Sequence, residues 1–196
     1  MQARSLPFYL EDRTGAAADS DFDDMYDRLF LRDSTLSDRA ADPPPCVGIY
    51  NTGRRSSTRE YLAGRRTSRS LPRPAVVLEF GRQGALGAVT LGADKGHERK
   101  LQMGQWLRKT GMFSGSLSRK FTASDGREYR WIHRPSEGTE WMSRDVVVAS
   151  YTLKPPSKPA YNTSGNVLVV GEAWSAIAPE ILAGLVVMRH IAAHGL

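Results

Sequence analysis

Residues 178–194 read APEILAGLVVMRHIAAH, and this stretch decides the fold. Pro179 and Glu180 suit the first turn of a helix, and residues 181–188 follow without a single polar side chain. A helix that is apolar on all sides is buried on all sides in a water-soluble protein. We therefore predict a C-terminal helix over about 178–194 that forms the centre of its own domain.

An apolar segment at this place in the sequence also suggests a membrane anchor. The uncharged run of 181–188 is much shorter than the roughly 20 residues that cross a bilayer, and Glu180 and Arg189 bracket it. We therefore favour burial over an anchor and predict no transmembrane span. On this interpretation Leu185→Asp unfolds the protein, because a charge cannot be buried without a partner.

Short β-type runs separated by turn residues fill the chain from residue 47 onward, a pattern typical of all-β domains. Most connections between them are short enough for antiparallel hairpins. The candidate strands are 47–51, 58–62, 75–80, 86–91, 99–109, 116–123, 127–134, 140–141, 146–151 and 166–170. The sequence thus predicts a mainly β (α+β) fold, an antiparallel closed β-barrel of about 10–12 strands around the central helix.

The Ser-Asp-Gly segment at 124–126 can turn the chain in two ways. A two-residue turn mixes apolar and charged side chains on both faces of the hairpin. A three-residue loop with Gly126 in the left-handed conformation gathers the apolar side chains on one face, and we predict this loop. It pairs Phe121 with Tyr129, Arg119 with Trp131, and Lys120 with Arg130.

Several segments together resemble a known superfamily. Residues 121–131 (FTASDGREYRW), 146–150 (VVVAS) and 180–188 (EILAGLVVM) resemble the central hairpin, the next strand and the plug helix of an uncharacterised fungal branch of the tubby C-terminal-like superfamily. Residues 47–62 are similar in outline to its opening strands. The superfamily includes tubby, the phospholipid scramblases and the LURP-one-related proteins.

The resemblance implies a closed barrel around a central helix and, for tubby itself, a basic surface that holds phosphoinositide headgroups. Tubby's ligand motif and a scramblase-type calcium motif do not occur in this sequence, so the likeness bears on the fold more than on the activity. The candidate residues for an anionic headgroup are Lys120, Arg130, Arg99 and Lys100, which offer multivalent positive charge. The alternative for these residues is a solvated basic face.

Residues 1–45 carry ten acids and five arginines and few β-branched residues, which predicts a mostly disordered arm ahead of a barrel domain at 46–196. One part of the arm, near 21–31, has the spacing of an amphipathic helix. Such a short helix must dock to be stable, either on its own barrel or in a partner's groove. Its apolar stripe consists of Phe22, Met25, Tyr26, Leu29 and Phe30.

Residues 46–74 carry seven arginines and one glutamate, the most basic part of the chain. Two arginine pairs in it are followed by hydroxyl side chains, the context that basophilic kinases prefer, and phosphate there would cancel local positive charge. Few aromatic residues accompany this charge, so nucleic acid is not an expected partner. The phosphorylation candidates are Ser56, Ser57, Thr67 and Ser68.

Other residue types argue against an enzyme, a cofactor or a metal. Cys46 is the sole cysteine, and the N-terminus lacks the apolar stretch of a signal peptide, so we expect an intracellular protein, cytoplasmic or nuclear, or one bound at a membrane surface. His190 and His194 share a helix face without an acidic third ligand, which favours helix-end charge over a metal site. The four tryptophans are interpreted as core, and no nucleophile has a plausible base beside it.

These patterns predict a non-enzymatic binding module that recognises an anionic membrane lipid, similar to a phosphoinositide, or a protein partner through a basic barrel surface. The alternative is a regulatory adaptor, in which the helix near 21–31 binds a partner and phosphorylation controls the arginine-serine stretch.

Overall fold

The computed structural model of the protein describes residues 6–36, 45–53, 73–110, 117–134, 139–143, 147–152 and 164–196. Its strands are β1 (Phe8–Asp12), β2 (Ser20–Asp24), β3 (Phe30–Thr35), β4 (Cys46–Asn51), β5 (Val76–Glu79), β6 (Ala88–Leu91), β7 (Arg99–Gln102), β8 (Arg108–Lys109), β9 (Arg119–Thr122), β10 (Glu128–Arg134), β11 (Thr139–Ser143), β12 (Val147–Thr152) and β13 (Asn166–Val170). The α-helices are α1 (Met103–Trp106) and α2 (Ala178–His194).

The strands form one antiparallel sheet of 13 strands in the order β7-β6-β5-β4-β3-β2-β1-β13-β12-β11-β10-β9-β8. Strands that follow each other in the chain are paired, except β7 and β8, and β1 pairs with β13, so the first and last strands meet inside the sheet. The edge strands β7 and β8 follow each other in the chain, with α1 between them. The prediction of a mainly β, antiparallel fold is therefore confirmed.

Helix α2 is the centre of the core, as predicted. Its first eleven residues, 178–188, are all buried, and the helix lies against the neighbouring strands β4 and β5 and against β10, which is far from them in the sheet order. A Cβ atom added at Gly184 would lie 2.6 Å from Nε1 of Trp131, so the helix backbone approaches β10 closely. The stretch Glu172–His194 is long and apolar enough to cross a membrane, but most of it is buried in the domain.

The hairpin of β9 and β10 has the predicted register. Phe121 pairs with Tyr129, and Gly126 has a φ of +77° in the loop between the strands. Phe121, Tyr129 and Trp131 are buried together on the inner face. The alternation of apolar and charged residues was therefore sufficient to choose between the two turns.

Of the four tryptophans that we interpreted as core, Trp106 and Trp131 are buried. Trp174 is half-buried and packs against the core. The side chain of Trp141 and the candidate strand 58–62 lie outside what the structure describes.

The N-terminal prediction is wrong over residues 6–36, which form β1, β2 and β3 and contain no amphipathic helix near 21–31. These strands pair with one another and with β13 and β4, so the sheet continues across the proposed domain boundary at residues 45 and 46. The many acids of this segment led us to predict a disordered arm. Several of them instead face inward and are held by hydrogen bonds. The inward-facing aspartates are Asp12, Asp24 and Asp33.

Candidate functional site

The two ends of the domain differ, and they are defined here by the direction of α2. At the cleft end, where α2 begins, lie residue 6 before β1 and the connections β2–β3, β6–β7 and β9–β10. At the far end, where α2 finishes, lie the connections β1–β2 and β5–β6.

A cleft of about 500 Å³ opens at the cleft end, beside the first turn of α2. Its apolar wall includes Val76, Leu91 and Pro179, all of them buried. Its polar wall carries a cluster of three basic side chains, which are exposed to solvent. We call Lys95, His97 and Arg99 the basic wall.

The β6–β7 connection positions the basic wall. It forms a single 3-10 turn, Ala93–Lys95, between Gly92 and Gly96, both of which have a φ of +71°. Left-handed backbone costs glycine little, so the connection can reverse direction within a few residues. Arg99 then begins β7 opposite Leu91, and this pairing places its side chain on the cleft's side of the sheet.

The cations of the basic wall are available for a ligand. Among the described residues, no carboxylate forms an ion pair with Lys95 or Arg99. Asp94 is the acid that lines the same rim. The described carboxylates, Asp94 and Glu180 included, thus leave Lys95 and Arg99 without an ion pair at the cleft.

The acid on the floor of the cleft, Glu180, is already engaged. Its carboxylate accepts a hydrogen bond of 2.9 Å from the backbone N–H of Ser124 and ties the β9–β10 loop to the first turn of α2. Burial raises the pKa of Glu180, although the hydrogen bonds from Ser124 and the charge of Arg99 act in the opposite direction. We therefore assign Glu180 a structural role at this site.

The far end is closed by a buried polar cluster centred on Asp12. Oδ1 of Asp12 accepts hydrogen bonds from the Gly15 N–H at 2.8 Å and the Ser20 hydroxyl at 2.5 Å. Oδ2 accepts a hydrogen bond of 2.5 Å from the Tyr151 hydroxyl and lies 3.8 Å from Nη1 of Arg189. Arg189 also donates to the Gly15 carbonyl at 2.6 Å, so the end of α2 is bonded to the β1–β2 connection.

A second carboxyl in this cluster, Asp33, is poorly satisfied. Its Oδ1 accepts a hydrogen bond of 2.5 Å from the Ser20 N–H, but its buried Oδ2 has no hydrogen-bond partner among the residues that the structure describes. Burial raises the pKa of Asp33 to about 7, and the nearby charge of Asp12 acts in the same direction. The far end thus contains a carboxyl that loses its proton near neutral pH.

The structure does not bring the four predicted headgroup residues into one patch. Lys120 and Arg130 are paired on the outer face of β9 and β10, and Glu128 forms an ion pair of 3.1 Å with Lys120. Lys100 forms an ion pair with Glu79. Arg99 points to the opposite side of β7 from Lys100 and is the member of the set that lines the cleft.

The predicted partner residues are mostly unavailable. Phe22, Leu29 and Phe30 are buried in the sheet, whereas Met25 and Tyr26 are exposed in the β2–β3 turn. The phosphorylation candidates at 56, 57, 67 and 68 lie outside the described residues.

The two histidines of α2 lie at the far end, with their ring centroids 4.4 Å apart. His190 stacks on Phe80, and its Nε2 lies 2.7 Å from the Gly84 carbonyl. Burial lowers the pKa of His190, so this ring does not supply the helix-end charge that we predicted. The described residues contain no group of three or more potential metal ligands from His, Cys, Asp and Glu.

Sequence reasoning missed the cleft. The sequence signal for the cleft lies in residues 92–100 (GADKGHERK), where two glycines are interleaved with basic residues. The segment does not have the spacing of a phosphate-binding loop, so no motif search identifies it. A basic connection between two strands can nevertheless face a cleft whose apolar wall comes from elsewhere in the chain.

A family model matches residues 34–192, which is most of the chain, and it describes a family of unknown function (DUF6593). Neither a curated protein nor a solved structure matches the chain. The match begins within β3 and ends within the last turn of α2, so it covers the cleft and the central helix. The chain belongs to the DUF6593 family.

Proposed function

We propose that this protein is a non-enzymatic binding module that holds an anionic membrane-lipid headgroup, similar to a phosphoinositide, in the cleft beside the start of α2. The observation that carries the proposal is the basic wall, in which Lys95 and Arg99 line an accessible cleft and form no ion pair with a carboxylate of the described residues. Arginine and lysine form strong charge-assisted hydrogen bonds with phosphate oxygens. The proposed headgroup residues are therefore Lys95, His97 and Arg99.

The outer face of β8–β10 is a weaker candidate for the same ligand. Arg108, Lys120 and Arg130 lie in one row across the three strands, but Glu128 forms ion pairs with the first two. An approaching phosphate would have to compete with that carboxylate for both cations. We therefore place the headgroup in the cleft. The row of three basic residues would contribute a general, non-specific attraction to anionic surfaces.

We also propose that the sheet closes into a barrel around α2 and that the protein is a member of the tubby C-terminal-like superfamily. Two features support closure: the burial of residues 178–188 of α2 on all sides, and the position of the edge strands β7 and β8 on either side of α1. The proposed location is intracellular, at the surface of a membrane.

The adaptor alternative has lost its main element, because the residues of the predicted partner helix lie in β2, β3 and the turn between them. What remains of it is the exposed pair Met25 and Tyr26, together with an arginine-serine stretch outside the described residues. No contact in the structure favours this function over headgroup binding.

The test is calorimetric titration of the protein with inositol 1,4,5-trisphosphate, a soluble form of such a headgroup. We expect saturable binding that weakens at least tenfold in Lys95→Gln/Arg99→Gln, because each lost charge-assisted hydrogen bond is worth about 1.5–3 kcal/mol. The matched control is Arg82→Gln/Lys109→Gln, which removes two exposed cations away from the cleft. Equal affinity of both double variants would contradict the proposal.

A further inference from the structure

Exposed apolar side chains are concentrated at the cleft end. Among the described residues, five large apolar side chains are exposed, and four of them lie at this end. Leu6 precedes β1, Met25 and Tyr26 form the β2–β3 turn, and Val147 begins β12; each is more than half exposed. Leu196 is the fifth, and it follows α2 at the far end.

Three of these side chains form one patch, which Arg28 holds in place. The Arg28 guanidinium donates hydrogen bonds to the carbonyls of Leu6 at 3.0 Å and Pro7 at 2.7 Å, and to the buried carboxylate of Asp24 at 2.8 Å. It also lies 5.1 Å from the ring centroid of Tyr26. The exposed patch of Leu6, Met25 and Tyr26, which we call the apolar tip, therefore stands on an ordered base.

The composition of the apolar tip fits the boundary between water and a bilayer. Leucine and methionine gain free energy when their apolar surface leaves water. Tyrosine is enriched at membrane interfaces, where its ring enters the apolar layer and its hydroxyl stays hydrated. The tip lies at the same end of the strands as the basic wall.

We infer that the cleft end docks end-on against an anionic lipid bilayer, with the apolar tip inserted into the interfacial layer beside the headgroup that the cleft holds. This inference rests on the proposed function for the identity of the headgroup. The insertion itself is carried by the exposed apolar side chains and by the topology that places them together.

The cleft end carries both basic residues, which attract an anionic membrane surface, and acidic residues, which are repelled by it. The basic wall contributes positive charge. Asp27 and Glu172 are exposed acids close to the apolar tip. The tip is therefore held by apolar insertion, and electrostatic attraction comes from the basic wall.

The sequence offers a clean labelling experiment, because Cys46 is its sole cysteine. In a Cys46→Ser background, Met25→Cys places an environment-sensitive fluorophore on the apolar tip, and Ala17→Cys places it on the exposed β1–β2 connection at the far end. The vesicles contain phosphatidylcholine with 5 per cent phosphatidylinositol 4,5-bisphosphate. We expect a blue shift and increased emission at position 25 and no change at position 17.

A second measurement separates this inference from the proposed function. Met25→Ser/Tyr26→Ser should weaken vesicle binding at least tenfold, because apolar area no longer leaves water, and leave the affinity for soluble inositol 1,4,5-trisphosphate unchanged. If the soluble headgroup binds and the label at position 25 does not shift, end-on insertion is wrong and headgroup binding stands. If the label shifts and the soluble headgroup does not bind, insertion stands and the assignment of the headgroup to the cleft is wrong.

Discussion

Charged side chains lie at both ends of α2, but those at the far end are bonded within the protein and those of the basic wall are exposed to solvent. At the far end, Asp12 is buried and Arg189 is partly buried, and both form hydrogen bonds within the protein. At the cleft end, Lys95 and Arg99 are exposed, and among the described residues no carboxylate pairs with them. The difference indicates that Asp12 and Arg189 at the far end stabilise the fold, whereas Lys95 and Arg99 at the cleft end are available to bind.

The connections at the two ends repeat this difference. At the far end, the β1–β2 connection is bonded to α2 through the Gly15 carbonyl, and the β5–β6 connection through the Gly84 carbonyl. At the cleft end, the β2–β3 turn presents the apolar tip, and the β6–β7 connection carries the basic wall. Substitutions at the two ends should therefore affect different properties, stability at one and binding at the other.

The largest effect is expected at the middle of α2, which both ends depend on. Leu185 is fully buried, so Leu185→Asp places an unpaired charge in the core and should abolish cooperative unfolding altogether. Circular dichroism during a thermal ramp measures this. Val147→Asp is the control, because that strand residue is exposed, and it should unfold with a transition near that of the wild type. A folded Leu185→Asp protein would contradict the central position of α2.

The next effect is a pH dependence at the far end. Because the folded-state pKa of Asp33 is about 7 and its ordinary value is 3.8, the folded state holds this proton more tightly than the unfolded state does. The contribution of Asp33 to stability is therefore complete below about pH 4 and is lost as the pH rises toward 7. Asp33→Asn removes the ionisation and keeps an oxygen for the Ser20 N–H.

Urea denaturation at pH 5 and pH 8 tests this prediction. The free energy of unfolding of Asp33→Asn minus that of the wild type should be about 2–3 kcal/mol larger at pH 8 than at pH 5, because the wild type loses stability over this range. Asp12→Asn provides the contrast, because that carboxylate accepts three hydrogen bonds and its loss should destabilise the protein at both pH values. A pH-independent difference for Asp33→Asn would mean that Asp33 stays ionised throughout.

A pair of arginine substitutions compares the ends directly. Arg189→Met removes the hydrogen bond to Gly15 and the cation near Asp12, and should lower the free energy of unfolding by about 2–3 kcal/mol. Arg99→Met, at an exposed position, should change it by less than about 0.5 kcal/mol. Urea titration of the two variants measures both values. Equal destabilisation would remove the distinction between a structural end and a binding end.

The smallest effect concerns the acids beside the apolar tip. Asp27→Asn removes one exposed negative charge from the surface that we place against an anionic bilayer, and one charge there is worth about 1 kcal/mol. Flotation with phosphoinositide vesicles should show about a fivefold gain in affinity. Asp19→Asn at the far end is the matched control and should bind as the wild type does. Weaker binding of Asp27→Asn would argue against end-on docking.

Local patterns predicted two elements well. A helix with apolar residues on all sides is expected to be buried at the centre of a β-rich domain, and residues 178–188 of α2 are buried in this way. The β9–β10 hairpin was determined by alternation, because the register that pairs Phe121 with Tyr129 is the one that separates apolar from charged side chains. In both cases the deciding residues are close together in the sequence.

Distant contacts explain the failures. β1 pairs with β13, and its inward Asp12 is satisfied by Tyr151 and Arg189, which lie more than a hundred positions away in the sequence. Without those partners, the acids of residues 6–36 suggested a solvated arm. The cleft was missed for a similar reason: its basic wall is one connection, but its apolar wall comes from β5, β6 and α2.

Hydrogen–deuterium exchange with and without phosphoinositide vesicles tests the distinction between the ends most directly. We expect slower amide exchange on vesicle binding in residues 25–29, 92–98 and 124–127 at the cleft end. Residues 13–19 and 81–87 at the far end should exchange at the same rate in both samples. Protection confined to the far end, or equal protection at both ends, would contradict the account.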